Sequence, residues 1–222
     1  MDISVFEVAG PVMIGPSSSH TAGAARLARI AARIAAEPFH HVSFGLHGSF
    51  ARTYKGHGTD RALLAGALGM REDDERLADS FDIAAERGVG YDFHEMDLDG
   101  FHENSVEMVF ALDSGKPFSV TGSSLGGGRI AVKRINGFNL DFTAHVPTLV
   151  IEQRDEKGVI SEITGVLANH GINIGTMRVS RTAKGETACC VIELDAEVSE
   201  DIVARIKGLN HVITAIAVHP EA

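Results

Sequence analysis

From Leu149 to Val218 the apolar residues switch repeatedly between a strand period and a helix period, and the order of the switches leaves few folds open. Leu149 to Glu152 reads as a short strand, and Gly158 to His170 carries Val159, Ile163, Val166 and Leu167 at helical spacing. Ile174 to Arg181 and Thr187 to Leu194 read as strands joined by Ala183-Lys184-Gly185-Glu186. Ser199 is placed to cap a helix on which Ile202, Ile206 and Leu209 line up, and Val212 to Val218 closes the series. Gly171 suits the left-handed position past a helix end. The order β-α-β-β-α-β is the ferredoxin-like split motif, in a segment the size of a small domain.

Before it the texture differs. Leu27, Ile30, Ala31 and Ile34 recur at helical spacing within Ala22 to Ala36, Arg26, Arg29 and Arg33 take another face, and Pro38 ends the helix. His41 to Gly48 alternates as a strand, and Lys55 to Asp60 reads as a loop. Thr59 or Asp60 is placed to cap a second helix running through Leu68 and closed by Gly69. The acidic stretch from Arg71 to Arg87 reads as a solvated helix or loop. Val106 to Leu112 and Phe118 to Thr121 flank the turn-like Ser114-Gly115-Lys116, and Ile130 to Ile135 and Phe138 to Phe142 flank Asn136-Gly137, the strongest short hairpin signal. The fold class is α+β, helices first and an antiparallel sheet after. A linker near Thr143 to Pro147 sets domains of residues 1–145 and 146–222.

The chemistry-bearing stretch is Gly15-Pro16-Ser17-Ser18-Ser19-His20-Thr21, where a helix begins. The first backbone N–H groups of a helix lack intrahelical acceptors and the dipole makes that end electropositive, so hydroxyls there hold a small anion, a carboxylate or a phosphate. Capping needs one such residue, and this stretch supplies four hydroxyls around an imidazole. A second histidine, in Gly56-His57-Gly58, also precedes a helix start; glycines on both sides free the backbone, and such a histidine can act as base, acid or carboxylate donor. The run Gly126-Gly127-Gly128 after Ser123-Ser124 fits neither the P-loop nor the dinucleotide pattern and reads as a tight nest or strand-to-strand bend. Asp155 opens the first helix of the C-terminal unit and Asn173 follows its end; a turn and a cap account for both, with ligand binding as the alternative.

Composition narrows the partners. A net charge of −10 argues against nucleic acid, which needs basic surface. No apolar run approaches bilayer length, and Met1 to Phe6 is neither basic nor long enough for a signal peptide, so a cytoplasmic location without membrane contact is expected. Cys189 and Cys190 are adjacent and form no metal-spaced ladder, which predicts packing within a strand and no metal site on this chain.

Gly-Pro-Ser-Ser-Ser-His-Thr at 15–21, Gly-Ser at 48–49, Lys-Gly-His-Gly-Thr-Asp at 55–60, His-x-Asn at 102–104 and Gly-x-Ser-x-Gly-Gly-Gly at 122–128 resemble the β chain of iron–sulfur-dependent bacterial L-serine dehydratase. The C-terminal unit is similar to an ACT domain. The resemblance implies an N-terminal domain also similar to the allosteric substrate-binding domain of some phosphoglycerate dehydrogenases. It implies β-elimination of water from L-serine, giving aminoacrylate and then pyruvate and ammonia. A [4Fe–4S] cluster is expected on a separate α chain, without which this chain is inactive. His57 and His20 become candidate catalytic residues, and Ser17, Ser18, Ser19, Thr21, Gly58, Thr59 and Asn104 candidate substrate-binding residues. Asp155 and Asn173 match effector-contacting positions of related ACT domains, whereas Gln153 stands where serine-sensing ones carry histidine. A homodimer through the ACT units is expected.

Two other classes stay open on the residues alone. A stand-alone amino-acid-binding regulator would bind serine with no partner and tolerate loss of His57; a phosphate or nucleotide binder would use the Gly126–Gly128 run.

Overall fold

The computed structural model describes Gly15 and residues 17–220. Met1 to Phe6 and Pro16 of the hydroxyl loop lie outside the described residues. The chain divides into two compact units that meet in sequence at Asn136/Gly137.

The first unit opens with a π-helical turn, Ser18–Gly23, that runs directly into α1, Ala24–Ala35. Leu27, Ile30, Ala31 and Ile34 are wholly buried, as their spacing requires, and a left-handed Ala36 ends the helix ahead of Pro38. Burying each of the larger of these side chains stabilises by about 2 kcal/mol. Strand β1, Phe39–Leu46, leads to α2, Gly48–His57, and α3, Thr59–Ala67. A 3₁₀ turn at Glu75–Asp79 and α4, Ser80–Glu86, precede the strands β2, Gly90–Glu95; β3, Ser105–Leu112; β4, Pro117–Gly126; and β5, Arg129–Ile135. Their hydrogen-bonded order is β2-β1-β3-β4-β5.

Several expectations need correction. Residues 48–57 form a helix rather than the end of a strand and a loop; Phe50 is its one buried residue, so no apolar stripe announces it. Strand β2 pairs parallel with β1 and makes the sheet mixed rather than antiparallel. The N-cap of α3 is Gly58, not Thr59 or Asp60, and the Asp60 carboxylate accepts from the neighbouring Arg61 amide, at 2.9 Å, inside the first turn. On the face that carries the arginines, Arg29 is buried where Arg33 is exposed: it is 7% exposed and meets Glu72 at 3.4 Å. Burial pulls its guanidinium below the ordinary value and Glu72 opposes that shift. Between α1 and α3 the backbones touch, because a Cβ at Gly66 would collide with the carbonyl oxygen of Ala25.

Asn136 and Gly137 both have positive φ, 46° and 82°, as a two-residue hairpin turn requires, and β6, Phe138–Phe142, follows. The second unit continues with β7, Thr148–Arg154; α5, Val159–Asn169; β8, Ile174–Arg181; β9, Thr187–Leu194; α6, Glu200–Lys207; and β10, Val212–Val218. This is the expected β-α-β-β-α-β order, in an antiparallel sheet arranged β10-β7-β9-β8. Val159, Ile163, Leu167, Ile202 and Ile206 pack on Leu149, Ile151, Cys190 and Ile192. Ser199 occupies the N-cap of α6 but its side chain makes no capping bond. Strand β8 lies at the edge and most of its residues are exposed. No helix among the described residues is long and apolar enough to cross a membrane.

Candidate functional site

The hydroxyl loop takes its shape from an extended Ser17, φ −140° and ψ 125°, whose Oγ accepts from the His20 amide at 3.1 Å. The Ser17 carbonyl accepts from both Thr21, at 3.0 Å and α spacing, and Ala22, at 3.3 Å and the wider π spacing. Among the described residues the amides of Ser18 and Ser19 have no protein acceptor, so they are the donors left for an anion. Gly23 makes the turn possible, since a Cβ there would strike the Oγ of Ser124. The Ser18 Oγ accepts from the Gly127 amide at 3.3 Å, so the glycine run is the bend between β4 and β5 and braces the loop.

The second loop arrives through Gly58, whose φ of 66° serves at once as the end of α2 and the cap of α3. That left-handed corner presents His57 next to the first loop. The imidazole centroids of His20 and His57 are 4.8 Å apart, and Phe50 stands edge-on to His20 at 5.3 Å. Thr21 Oγ1 donates to the His57 carbonyl at 3.4 Å. The His20 ring is bounded on both nitrogens by hydroxyls, Nδ1 by Ser19 Oγ at 3.1 Å and Nε2 by Ser49 Oγ at 3.2 Å. Burial, and then the neighbouring His57, hold the His20 pKa below its ordinary value, which favours the neutral ring. His57 is exposed; its Nδ1 faces the Thr53 carbonyl at 3.4 Å, and its Nε2 has no hydrogen-bond partner among the described residues.

A third segment closes on these two. The Glu103 carbonyl accepts from the amides of Ser49 and Phe50 at 2.7 and 3.3 Å, and the Asn104 carbonyl from Ser124 at 2.9 Å. Ser105 Oγ donates to the His102 carbonyl at 2.5 Å and lies 2.7 Å from Ser123 Oγ. Segments 17–21, 49–58, 102–104 and 123–127 are thus stitched together within one unit. Thr59 is the exception among the residues expected to bind substrate, since it is wholly buried behind the surface. Thr21 is nearly buried and ties the loops together. Ser49 and Ser124 escaped the sequence reading as site residues; the available signals were the Gly-Ser pair at 48–49 for the first and the Gly-x-Ser-x-Gly-Gly-Gly run at 122–128 for the second. An open groove of about 380 Å³ between His47, Arg52 and Met96 involves none of the expected residues.

In the second unit the two expected effector residues are apart. Asp155 accepts from the Gly185 amide at 3.0 Å and from Arg181 at 2.8 Å, and these bonds hold its carboxyl below the usual range. Asn173 donates to Asp195 at 2.6 Å. Arg154 pairs with Thr187 and Ile174 with Leu194, so the two residues sit at opposite ends of β9, about 23 Å apart along a strand.

Among the described residues no three His, Cys, Asp or Glu side chains gather to hold a metal ion. Cys189 and Cys190 are buried in β9, and burial pushes both thiols up to about 12. Being protonated, enclosed and on opposite faces of a strand, they do not fit as ligands of an iron–sulfur cluster.

Residues 4–86 match the family model described as serine dehydratase beta chain, and residues 147–211 match the ACT domain. The L-serine dehydratase, beta chain, of Peptoniphilus asaccharolyticus is 40% identical over 96% of this chain and 97% of its own length. The probable L-serine dehydratase, beta chain, of Bacillus subtilis (strain 168) is 38% identical over 95% of each. A D-3-phosphoglycerate dehydrogenase of the same Bacillus strain is 26% identical over 86% of this chain and 36% of its own.

Proposed function

The chain belongs to the family of L-serine dehydratase β chains, and from that premise we propose that its hydroxyl and histidine loops bind and deprotonate L-serine in an ammonia-lyase completed by a separate α chain. The observation that supports this reading is the meeting of His20 and His57 beside the hydroxyl loop. The substrate carboxylate takes the amides of Ser18 and Ser19 and the hydroxyls of Ser17 and Ser18, with the Asn104 side chain closing the site. Gly58 lets the ligand approach the corner, and Thr21 holds the two loops of the wall together, while Thr59 lies buried behind them.

His57 is the proton acceptor. Its Nδ1–H donates to the Thr53 carbonyl, which leaves the lone pair on the exposed Nε2. That atom takes the Cα proton as the β-hydroxyl departs, giving aminoacrylate, which hydrolyses to pyruvate and ammonia. A [4Fe–4S] cluster held by the α chain would supply Lewis acidity at the departing hydroxyl. This chain's thiols do not fit it, so the reading has the chain inactive alone.

Reconstitution with the α chain tests the assignment. Pyruvate release should fall steeply in His57→Ala and His20→Ala; full turnover in both would remove the catalytic role.

The functional boundary is taken at 145/146. The ACT unit is proposed to pair with a second copy through β8, whose Met177 and Val179 are 41% and 47% exposed. Antiparallel pairing of β8 with its copy would carry Asn173 of one chain to the Asp155–Arg181 corner of the other, which is how these two residues could share one effector.

A further inference from the structure

We propose that Ser49 is a positioning residue: its hydroxyl donates to His20 Nε2, and this fixes the direction of a hydrogen-bond run that leaves the Ser17 proton free for the substrate carboxylate. The inference rests on the carboxylate site proposed above. The run is Ser49 Oγ to His20 Nε2 at 3.2 Å, His20 Nδ1 to Ser19 Oγ at 3.1 Å, and Ser19 Oγ to Ser17 Oγ at 3.4 Å. A neutral imidazole donates from one nitrogen and accepts at the other, so the run must point one way as a whole.

Two directions satisfy the ring. If Nε2–H donated to Ser49, the Ser17 proton would go to Ser19, and the proton left over would be that of Ser49, which has no other partner among the described residues. In the opposite direction Ser49 O–H, His20 Nδ1–H and Ser19 O–H each have an acceptor. Ser17 Oγ then accepts from Ser19 and from the His20 amide, and only its own proton is unassigned. That proton lies at the N-cap, beside the unoccupied amides of Ser18 and Ser19, where a carboxylate needs a donor. Ser49 is itself anchored at the start of α2 by its amide bond to Glu103, at 2.7 Å.

Imidazole nitrogen NMR of the ¹⁵N-labelled full-length chain reads the tautomer directly. Wild type should show His20 with a pyridine-like Nε2 and a pyrrole-like Nδ1. Ser49→Ala should move both nitrogens toward an average of the tautomers, and Ser49→Thr, which keeps the hydroxyl, should restore the wild-type pattern. In the reconstituted enzyme Ser49→Ala should raise the KM for L-serine about tenfold, the worth of one hydrogen bond, with a smaller fall in kcat. A pyrrole-like Nε2 in wild type, or an unmoved spectrum and KM in Ser49→Ala, would overturn the proposal. Full turnover by His57→Ala in the same assay would overturn the catalytic reading itself, whereas a wrong tautomer with His57→Ala inactive overturns only the role of Ser49.

Discussion

The imidazole of His20 lies 4.8 Å from that of His57, tilted 35° to it, although the two belong to separate loops. At that spacing the rings cannot both carry charge cheaply, and His20 is also partly desolvated. His20 should therefore titrate below 6.5 in the folded chain. Between that lowered value and 6.5 the unfolded chain holds the proton and the folded chain does not, so stability declines as pH falls through 6.5 and the loss ends below the folded value. His57→Ala should raise the His20 titration point only part of the way, because burial, the larger cause, stays. Imidazole proton NMR across pH 4 to 8 (about that span) checks both statements; an unchanged His20 in His57→Ala would show that the rings do not interact.

For the reaction, the two histidines predict unequal losses. His57→Ala should lower kcat by about 10² to 10⁴, the range for removal of a positioned base. His20→Ala should also disturb substrate binding, because it removes the middle of the run that ends on Ser17. Steady-state pyruvate release with the α chain separates the two effects as kcat against KM.

How much of this could be read in advance depends on which residues pack against what. The helix α1 and the whole β-α-β-β-α-β unit were legible because their buried faces repeat, as with Leu27, Ile30 and Ile34 or Val159, Ile163 and Leu167. Helix α2 was not, since Phe50 alone is buried on it, and neither was β2, an edge strand with no buried residue. The burial of Arg29 depends on Glu72, 43 positions on, which no local period reports. At the site, the His20 and His57 loops announce themselves by composition. Ser49 and Ser124 stand in the Gly-Ser and Gly-x-Ser-x-Gly-Gly-Gly motifs, but their contacts with His20 and Gly23 are tertiary and no local pattern reports them, and the separation of Asp155 from Asn173 follows from strand register.

Gly23 offers a test of the loop's geometry. A Cβ at this position meets Ser124 Oγ and comes within 3.0 Å of its Cβ, both inside a packed turn. Gly23→Ala should destabilise the first unit by about 1–3 kcal/mol, the usual cost of overpacking. Ser124→Gly in the same chain removes both contacting atoms and should recover most of that loss. Chemical denaturation of the single and double variants measures the coupling; additive losses would mean that Ser124 is not what Gly23 avoids.

The thiols of the second unit give a simple check on packing. Cys189 and Cys190 are buried and pushed up to about 12, so almost no thiolate exists near neutral pH. A thiol-reactive disulfide reagent at pH 8 (roughly half a unit below an ordinary thiol) should label neither in the native chain and both after denaturation. Fast native labelling would mean that β9 opens.

The edge strand β8 makes the last prediction. A strand with no hydrogen-bonded neighbour on its outer side among the described residues exposes a row of amides and carbonyls, and proteins ordinarily guard such an edge with charge, proline or a partner. Here Met177 and Val179 are exposed on it, while Arg178 and Arg181 are its charged residues. If a second copy covers the edge, Val179→Glu places a carboxylate beside its own copy across the two-fold, and like charges at that spacing oppose pairing. Light scattering after size exclusion should then find a dimer for the wild-type chain and a monomer for Val179→Glu, while Ile213→Glu on β10 leaves the dimer intact. A wild-type monomer, or a Val179→Glu dimer as tight as the parent, would move the interface away from β8 and leave Asp155 and Asn173 without a shared ligand.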